Sequence, residues 1–137
     1  MPGRPNLKTV LLLSTSSGPG GAERVISSLA ASLDPARYRA VLCLFRAGWI
    51  KERSESLGIR THVIPTQGMT DWRWACRFRN LLKDEHVDLI HAHEFDANVQ
   101  GAAVAAQAQV GLAIGGAHGG AEFGQRRVID HLHRIRQ

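Results

Sequence analysis

Short apolar runs alternate with amphipathic segments along most of this chain. A brief apolar run is typical of a buried strand, whereas apolar positions three and four residues apart indicate one face of a helix. The runs predict strands at residues 9–13, 38–45, 60–64, 87–91 and 112–114. Helices are predicted at residues 25–33, 49–57, 72–85 and 97–109, and a basic helical pattern extends from 123 to 136. Asp71 is expected to cap the third helix, and Gly58 to end the second.

Repeated strand–helix units predict an α/β fold, a Rossmann-like and mainly parallel sheet with helices on both faces. We expect residues 1–137 to form a single domain, because this length is usual for one hydrophobic core. With a strand order of 3-2-1-4-5, the winding reverses between strands one and four, and ligands bind outside the carboxyl ends of strands at such a point. The loop with Gly20 and Gly21 is then expected to face the loop with His93 and Glu94, with His118 beside them.

Residues 16–24, Ser-Ser-Gly-Pro-Gly-Gly-Ala-Glu-Arg, form a small-residue turn between the first strand and the first helix. Backbone N–H groups at such a junction lie at the positive end of a helix dipole and suit a phosphate or another anion. Gly20 and Gly21 let the backbone approach that ligand, since no side chain intervenes. The turn has neither the P-loop pattern nor the dinucleotide-binding spacing, so a turn that binds nothing is the alternative. Glu23 either binds a ligand hydroxyl or stabilises the start of the helix.

The charge balance narrows the range of partners. A net charge of +5 and a pI near 10.0 favour anionic partners, which include nucleotides, nucleic acid and acidic membrane surfaces. No signature of a nucleic-acid-binding module accompanies the charge, so we do not expect nucleic-acid binding. Cys43 and Cys76 have neither metal-motif nor disulfide spacing, and no segment is long enough to span a bilayer. These features predict a cytoplasmic protein with reduced cysteines.

Histidines near strand ends are the candidate chemical groups. His91 and His93 alternate along the fourth predicted strand and therefore point to the same side of the sheet. The surrounding residues lack the full His-x-His-x-Asp-His pattern of dinuclear hydrolases, so we expect no metal, and a metal-dependent hydrolase built on this pair is an alternative. His118 lies among small residues after the last strand, where it can donate a hydrogen bond to a phosphate or hydroxyl or titrate near neutral pH.

Aromatic residues and arginines share the third predicted helix. Residues 72–79 read Trp-Arg-Trp-Ala-Cys-Arg-Phe-Arg. One interpretation places this helix on an acidic membrane surface, as a peripheral contact at the inner face of the membrane. The other, which we favour, packs its aromatic residues in the core and leaves its arginines in solvent.

Three segments together resemble the large retaining glycosyltransferase family 4. Residues 20–30 are similar to its first-loop motif, residues 87–94 to its fourth-strand signature, and residues 117–119 to its His-Gly turn. The resemblance covers residues 7–136 and implies the N-terminal half of a GT-B fold, in which two Rossmann-like domains face a cleft. It implies transfer of a sugar from a nucleotide-diphosphate donor to a hydroxyl acceptor in glycan biosynthesis, with retention of configuration and no metal or other cofactor.

The resemblance also implies roles for particular residues. Gly20 and Gly21 would approach the donor diphosphate, His118 would act at the transferred sugar or its phosphate, and His93 and Glu94 would line the acceptor side. The family's C-terminal, donor-binding domain is not represented in the 137 residues, so we expect a truncated chain that is inactive alone. The alternative is a non-catalytic interaction module that a separate donor-binding subunit completes.

Overall fold

The computed structural model describes residues 7–15, 21–68, 70–93, 95–108 and 111–115. Within these ranges, strands and helices alternate from β1 to β5. The strands are β1 (Lys8–Ser14), β2 (Tyr38–Leu44), β3 (Arg60–Val63), β4 (Leu89–His93) and β5 (Gly111–Gly115). The helices are α1 (Gly21–Ser32), α2 (Trp49–Ser56), α3 (Trp72–Asp84) and α4 (Phe95–Ala108). None of the helices in these ranges is long and apolar enough to cross a membrane.

All five strands form one parallel sheet in the order β3-β2-β1-β4-β5. The central strand is β1, where Leu12 pairs in register with Leu42 of β2 on one side and with His91 of β4 on the other. The α/β Rossmann-like fold and the strand order expected from the sequence are thereby confirmed. The winding reverses between β1 and β4, because β1 continues toward β2 and β4 continues toward β5.

The core consists of two layers, one on each face of the sheet. Alternate residues of β1 point to opposite faces, so Leu11 and Leu13 pack with α3 and α4, whereas Val10 and Leu12 pack with α1 and α2. All four leucine and valine side chains are fully buried. A strand with apolar residues on both faces needs cover on both sides, which explains why the helices divide between the two faces.

Local signals in the sequence account for the ends of two helices. The Asp71 carboxylate accepts hydrogen bonds from the backbone N–H groups of Arg73 and Trp74, both at 3.1 Å, and α3 begins directly after it. Helix α2 is followed by Gly58, whose φ of 76° lies in the left-handed region that glycine adopts without strain. Both predicted helix ends are confirmed.

The fourth strand lies two residues further along the chain than predicted, at Leu89–His93 instead of 87–91. Asp88 instead closes the connection into the strand: its N–H donates to the Thr9 carbonyl oxygen at 2.9 Å, and its carboxylate accepts from the Thr9 N–H at 2.8 Å. At the other end, the ladder continues because His93 pairs with Gly115 of β5. His93 is therefore the last residue of a strand, whereas the sequence predicted that it lies in a loop.

A buried carboxylate joins several elements at the amino edge of the sheet. Glu85, which follows α3, accepts hydrogen bonds from Arg39 Nη1 at 3.0 Å and His62 Nε2 at 3.1 Å, and forms an ion pair with Arg60 Nε at 3.0 Å. Burial alone raises the pKa of Glu85, but the His62 hydrogen bond and the two arginine charges outweigh it and hold the pKa below its ordinary value. The cluster connects β2 and β3 to the turn before β4.

Candidate functional site

Two of the candidate ligand-binding residues lie at the carboxyl edge of the sheet. Gly21 is the first residue of α1, which follows β1, and His93 is the last residue of β4, which neighbours β1. The topology therefore brings these two predicted site residues to the same edge, beside the reversal between β1 and β4. Gly20, Glu94 and His118, the other predicted site residues, lie outside the described part of the chain.

His91 and His93 form a contacting pair on one face of β4. Their ring centroids are 4.4 Å apart in an edge-to-face arrangement, and both side chains are buried. Among the described residues, both ring nitrogens of His91 and Nε2 of His93 have no hydrogen-bond partner. Burial lowers the pKa of His91 to about 3, with a smaller contribution from His93, and lowers that of His93 to about 4. Both rings are therefore neutral at neutral pH.

A cavity of about 460 Å³ opens at this edge, between the ends of β1, β2 and β3 and the second turn of α4. We call it the inner cavity. Its lining includes Arg46, Thr66 and Gln100. Gln100 is buried, and its Nε2 donates to the Gly68 carbonyl oxygen at 2.5 Å and to Thr66 Oγ1 at 3.4 Å. The α4 side chain thus holds the loop that follows β3 against the carboxyl edge.

A second cavity of about 670 Å³ lies between the same loop and the first two turns of α3. We call it the outer cavity. Trp72, Arg73 and Arg77 line it, and it shares Thr66 and Gln67 with the inner cavity, so the two cavities adjoin at this loop, and we call them together the groove. The Trp72 side chain is 69% exposed, and the Arg73 guanidinium lies 5.6 Å from its ring centroid.

Helix α3 divides its aromatic residues between core and surface. Trp74 and Phe78 are buried and stack at 4.7 Å, and Trp74 Nε1 donates to the Ile64 carbonyl oxygen at 3.1 Å. Arg73, Arg77 and Arg79 are exposed. This arrangement agrees with the favoured interpretation of the sequence, a core-packing helix with its arginines in solvent, and Trp72 departs from it because it stays at the surface.

Sequence reasoning did not identify Arg46, Thr66 and Gln100 as site residues. Arg46 and Thr66 follow the carboxyl ends of β2 and β3, and this position was the signal that could have found them. Gln100 lies on a helix that reads as alanine-rich, and only the packing of α4 against the sheet brings it to the groove. The described residues contain no group of three or more His, Cys, Asp or Glu side chains that could hold a metal ion.

Comparison with protein families gives one match that covers most of the chain. The model of Glycosyltransferase Family 4 matches residues 19–137. This match includes all of the described elements except β1. No curated protein matches the chain.

Solved structures of glycosyltransferases share the fold. HepE (Alr3699) of Anabaena, in complex with UDP and glucose, is 25% identical over 78% of this chain, with a TM-score of 0.64. A glycosyltransferase from Rickettsia africae ESF-5 is 16% identical over 80% of the chain, with a TM-score of 0.67. MurG of Acinetobacter baumannii is 16% identical over 88%, with a TM-score of 0.63. The chain spans 29%, 29% and 39% of the lengths of these three proteins.

Proposed function

The chain belongs to Glycosyltransferase Family 4, and on that premise we propose that it forms the acceptor-side half of an enzyme that transfers a sugar from a nucleotide-diphosphate donor to a hydroxyl group. The observation that carries the proposal is the family match over residues 19–137, together with a sheet whose winding reverses between β1 and β4 and a cavity at the carboxyl ends of β1, β2 and β3. A UDP-sugar is the proposed donor class, because HepE has been solved with UDP and glucose and with UDP-glucose.

The helix that follows β1 supports a role in binding the donor diphosphate. Gly21 begins α1, so backbone N–H groups that have no acceptor within the helix itself lie at the positive end of a twelve-residue helix. We assign Gly20 and Gly21 to the approach of the diphosphate, whose charge grows as it departs from the sugar. Fixed N–H dipoles stabilise such developing charge without reorganisation, so they act on the transition state more than on the bound donor. His118 is proposed to contact the same diphosphate or the transferred sugar.

The acceptor side is assigned to the carboxyl end of β4, beside the reversal of the sheet. His93 ends β4 at the reversal of the sheet, and Glu94 follows it. Because its pKa is lowered to about 4, His93 is neutral at physiological pH, and it is proposed to exchange a hydrogen bond with an acceptor hydroxyl and not to act as a cation. Glu94 is proposed to accept a hydrogen bond from a second hydroxyl.

The proposal requires a donor-binding domain opposite this one. A single wall of the cleft leaves the reacting atoms in water, where hydrogen bonds to the departing phosphate are weak. We therefore expect the 137 residues alone to have negligible transferase activity. We propose that this second wall is either a further domain of the same polypeptide or a separate subunit.

The coding DNA beyond the codon for Gln137 provides the first test. A second Rossmann-like domain in frame, or one frameshift away, is the result that the proposal expects. A neighbouring gene that encodes such a domain would indicate the two-subunit form. If the locus encodes no such domain in either position, the proposed assignment of the chain as half of a transferase is wrong.

A further inference from the structure

The groove formed by the inner and outer cavities carries an excess of positive charge. Three guanidinium groups line it, those of Arg46, Arg73 and Arg77, against one carboxylate, that of Asp71. None of the three arginines forms an ion pair within the described residues. The groove is thus a basic surface at the edge of the sheet where ligands bind.

The arginines at the opposite edge of the sheet provide a contrast. Arg39 and Arg60 both pair with the buried Glu85 carboxylate at 3.0 Å, so their charge is balanced within the fold. Within the described residues, Arg73 and Arg77 form no such ion pair, although the Arg73 charge contributes to the lowered pKa of Asp71. The two arginines are four residues apart and therefore lie on one side of α3. Their guanidinium groups stay available for an external anion.

The single carboxylate in the groove is already engaged. One Asp71 oxygen accepts from the N–H groups of Arg73 and Trp74, and the other accepts from the Gln67 N–H at 3.0 Å. These bonds, led by the one from Gln67, hold the pKa of Asp71 below its ordinary value, so the group stays ionised and occupied. Asp71 shapes the loop and does not neutralise all of the groove's positive charge.

Hydrogen bonds hold the loop that borders both cavities. Gln100 holds the loop from the α4 side through Gly68 and Thr66, and Thr66 Oγ1 also donates to the Gly68 carbonyl oxygen at 3.0 Å. A loop held by such bonds loses less conformational entropy when a ligand binds beside it. The volumes of the two cavities, about 460 and 670 Å³, lie within the range of small-molecule sites.

We infer that this groove binds an acceptor that carries an anionic group, a phosphate or a carboxylate, on its sugar or polyol. Arg73 and Arg77 bind the anionic group in the outer cavity, because guanidinium groups match the geometry of both anions. The exposed Trp72 ring packs against the carbon face of the ligand. The reacting hydroxyl then points into the inner cavity, toward the carboxyl end of β1. The inference rests on the proposed function, because the ligand is an acceptor only if the protein takes part in sugar transfer. Binding of the ligand at the groove does not itself require transfer.

The test measures ligand binding to the 137-residue chain by calorimetry and by amide chemical shifts. The probes are glucose 6-phosphate, glucuronate, inorganic phosphate and unmodified glucose. We expect the two anionic sugars to bind at least about tenfold more tightly than glucose, and to shift the amides of residues 66–68 and 72–77. Equal affinity for glucose, or a dissociation constant above about 10 mM for both anionic sugars, would overturn the inference.

Variants with matched charge locate the site. R73Q/R77Q is expected to weaken binding of glucose 6-phosphate about tenfold or more, since two charge-assisted contacts are lost. R79Q/K83Q removes the same charge from exposed positions of α3 outside the groove, and its affinity is expected to change less than about twofold. If both variants lose the same affinity for glucose 6-phosphate, the ligand is attracted only by the net charge of the chain, and the inference of a site in the groove is wrong. W72A is expected to weaken binding of glucose 6-phosphate and to leave that of inorganic phosphate unchanged.

A vesicle experiment distinguishes the two sources of such an anion. If the group belongs to a lipid-linked acceptor, vesicles that contain phosphatidylglycerol bind the wild-type chain and R79Q/K83Q but not R73Q/R77Q. If it belongs to a soluble acceptor, the sugar phosphate binds and the vesicles do not. If neither the sugar phosphate nor the vesicles bind, the inference that the groove binds an anionic ligand is wrong. It is also wrong if R73Q/R77Q still binds the vesicles. If the complete enzyme binds the ligand but transfers no sugar, the proposed function is wrong, whereas the inference that the groove binds an anionic ligand still holds.

Discussion

At the scale of single residues, the buried polar groups show how the fold balances charge. Glu85 is buried at 4% exposure and contacts two arginines and one histidine, whereas His91 and His93 are buried as neutral rings. In the first case the charged form is stabilised by opposite charges, and in the second burial favours the uncharged form. Each arrangement gives a measurable dependence of stability on mutation or on pH.

Replacement of Glu85 by glutamine is expected to lower the free energy of unfolding by about 1–3 kcal/mol, because the buried acceptor of three donors loses its charge. Arg39 and Arg60 are partly exposed, so solvent screens part of the loss. Urea denaturation measures the change. Asp84→Asn, at the exposed neighbouring carboxylate, serves as control and is expected to change stability by less than about 0.5 kcal/mol. Similar values for the two variants would contradict the described network.

The His91 and His93 pair is expected to make stability fall as pH decreases from 7 to 5. In the folded chain their pKa values are about 3 and 4, below the ordinary 6.5, so in this interval the unfolded chain binds more protons. Stability therefore rises with pH, by up to about 1.4 kcal/mol per pH unit for each histidine. The interval from pH 7 to 5 lies above the ordinary pKa values of Asp71 and Glu85, 3.8 and 4.5. The effect of the histidines on stability is therefore separated from that of the two carboxylates.

His91→Leu isolates the contribution of one ring. The difference in unfolding free energy between this variant and the wild type is expected to shift in favour of the variant as the pH falls, since leucine takes up no proton. Urea denaturation at a series of pH values measures it. A difference that stays constant between pH 7 and 5 would show that His91 is not held neutral by the fold.

At the scale of elements, the close approach of α4 to the sheet depends on one small residue. A Cβ atom added to Gly101 would lie 3.1 Å from Leu13 Cδ2 and 3.8 Å from the Ala92 Cβ. The first distance is tighter than ordinary van der Waals contact, and Leu13 is fully buried in β1 with little room to move. Gly101 therefore sets how closely α4 packs on β1 and β4.

Gly101→Val is expected to destabilise the fold by about 1–3 kcal/mol, because the branched side chain overpacks the contact with Leu13. The matched control is Ala106→Val, at an exposed position of the same helix, where only the lower helix propensity of valine acts and the cost is about 0.5 kcal/mol. Thermal unfolding of both variants compares the two effects. If Gly101→Val unfolds no earlier than Ala106→Val, α4 does not approach the sheet as closely as described.

The elements show where sequence reasoning succeeds and where it stops. Asp71 and Gly58 act locally, through hydrogen bonds and dihedral angles within their own turns, so the limits they set could be predicted from the sequence. The limits of β4 could not, because Asp88 pairs with the distant Thr9 and His93 with Gly115. These partners become neighbours only after the strands have assembled.

At the scale of the whole molecule, the alternation of strands and helices predicted the parallel α/β sheet, and the structure has the strand order that we considered for it. The groove could not be predicted in this way. Arg46 follows β2, whereas Arg73 and Arg77 lie on α3, and they come near each other only because the loop after β3 borders both cavities. Gly21 and His93, by contrast, lie at the reversal of the sheet, which topology alone assigns to ligand binding.

Sugar transfer by the completed protein tests the central claim most directly. The chain is produced together with the donor-binding domain, joined in one polypeptide or added as a separate subunit. Release of nucleoside diphosphate is then measured with UDP-sugars and with acceptors that carry or lack an anionic group. We expect transfer by the completed protein, none by the 137 residues alone, and a raised KM for the anionic acceptor in R73Q/R77Q. Transfer by the 137 residues alone, or no transfer by the completed protein from any nucleotide-sugar tested, would contradict the account.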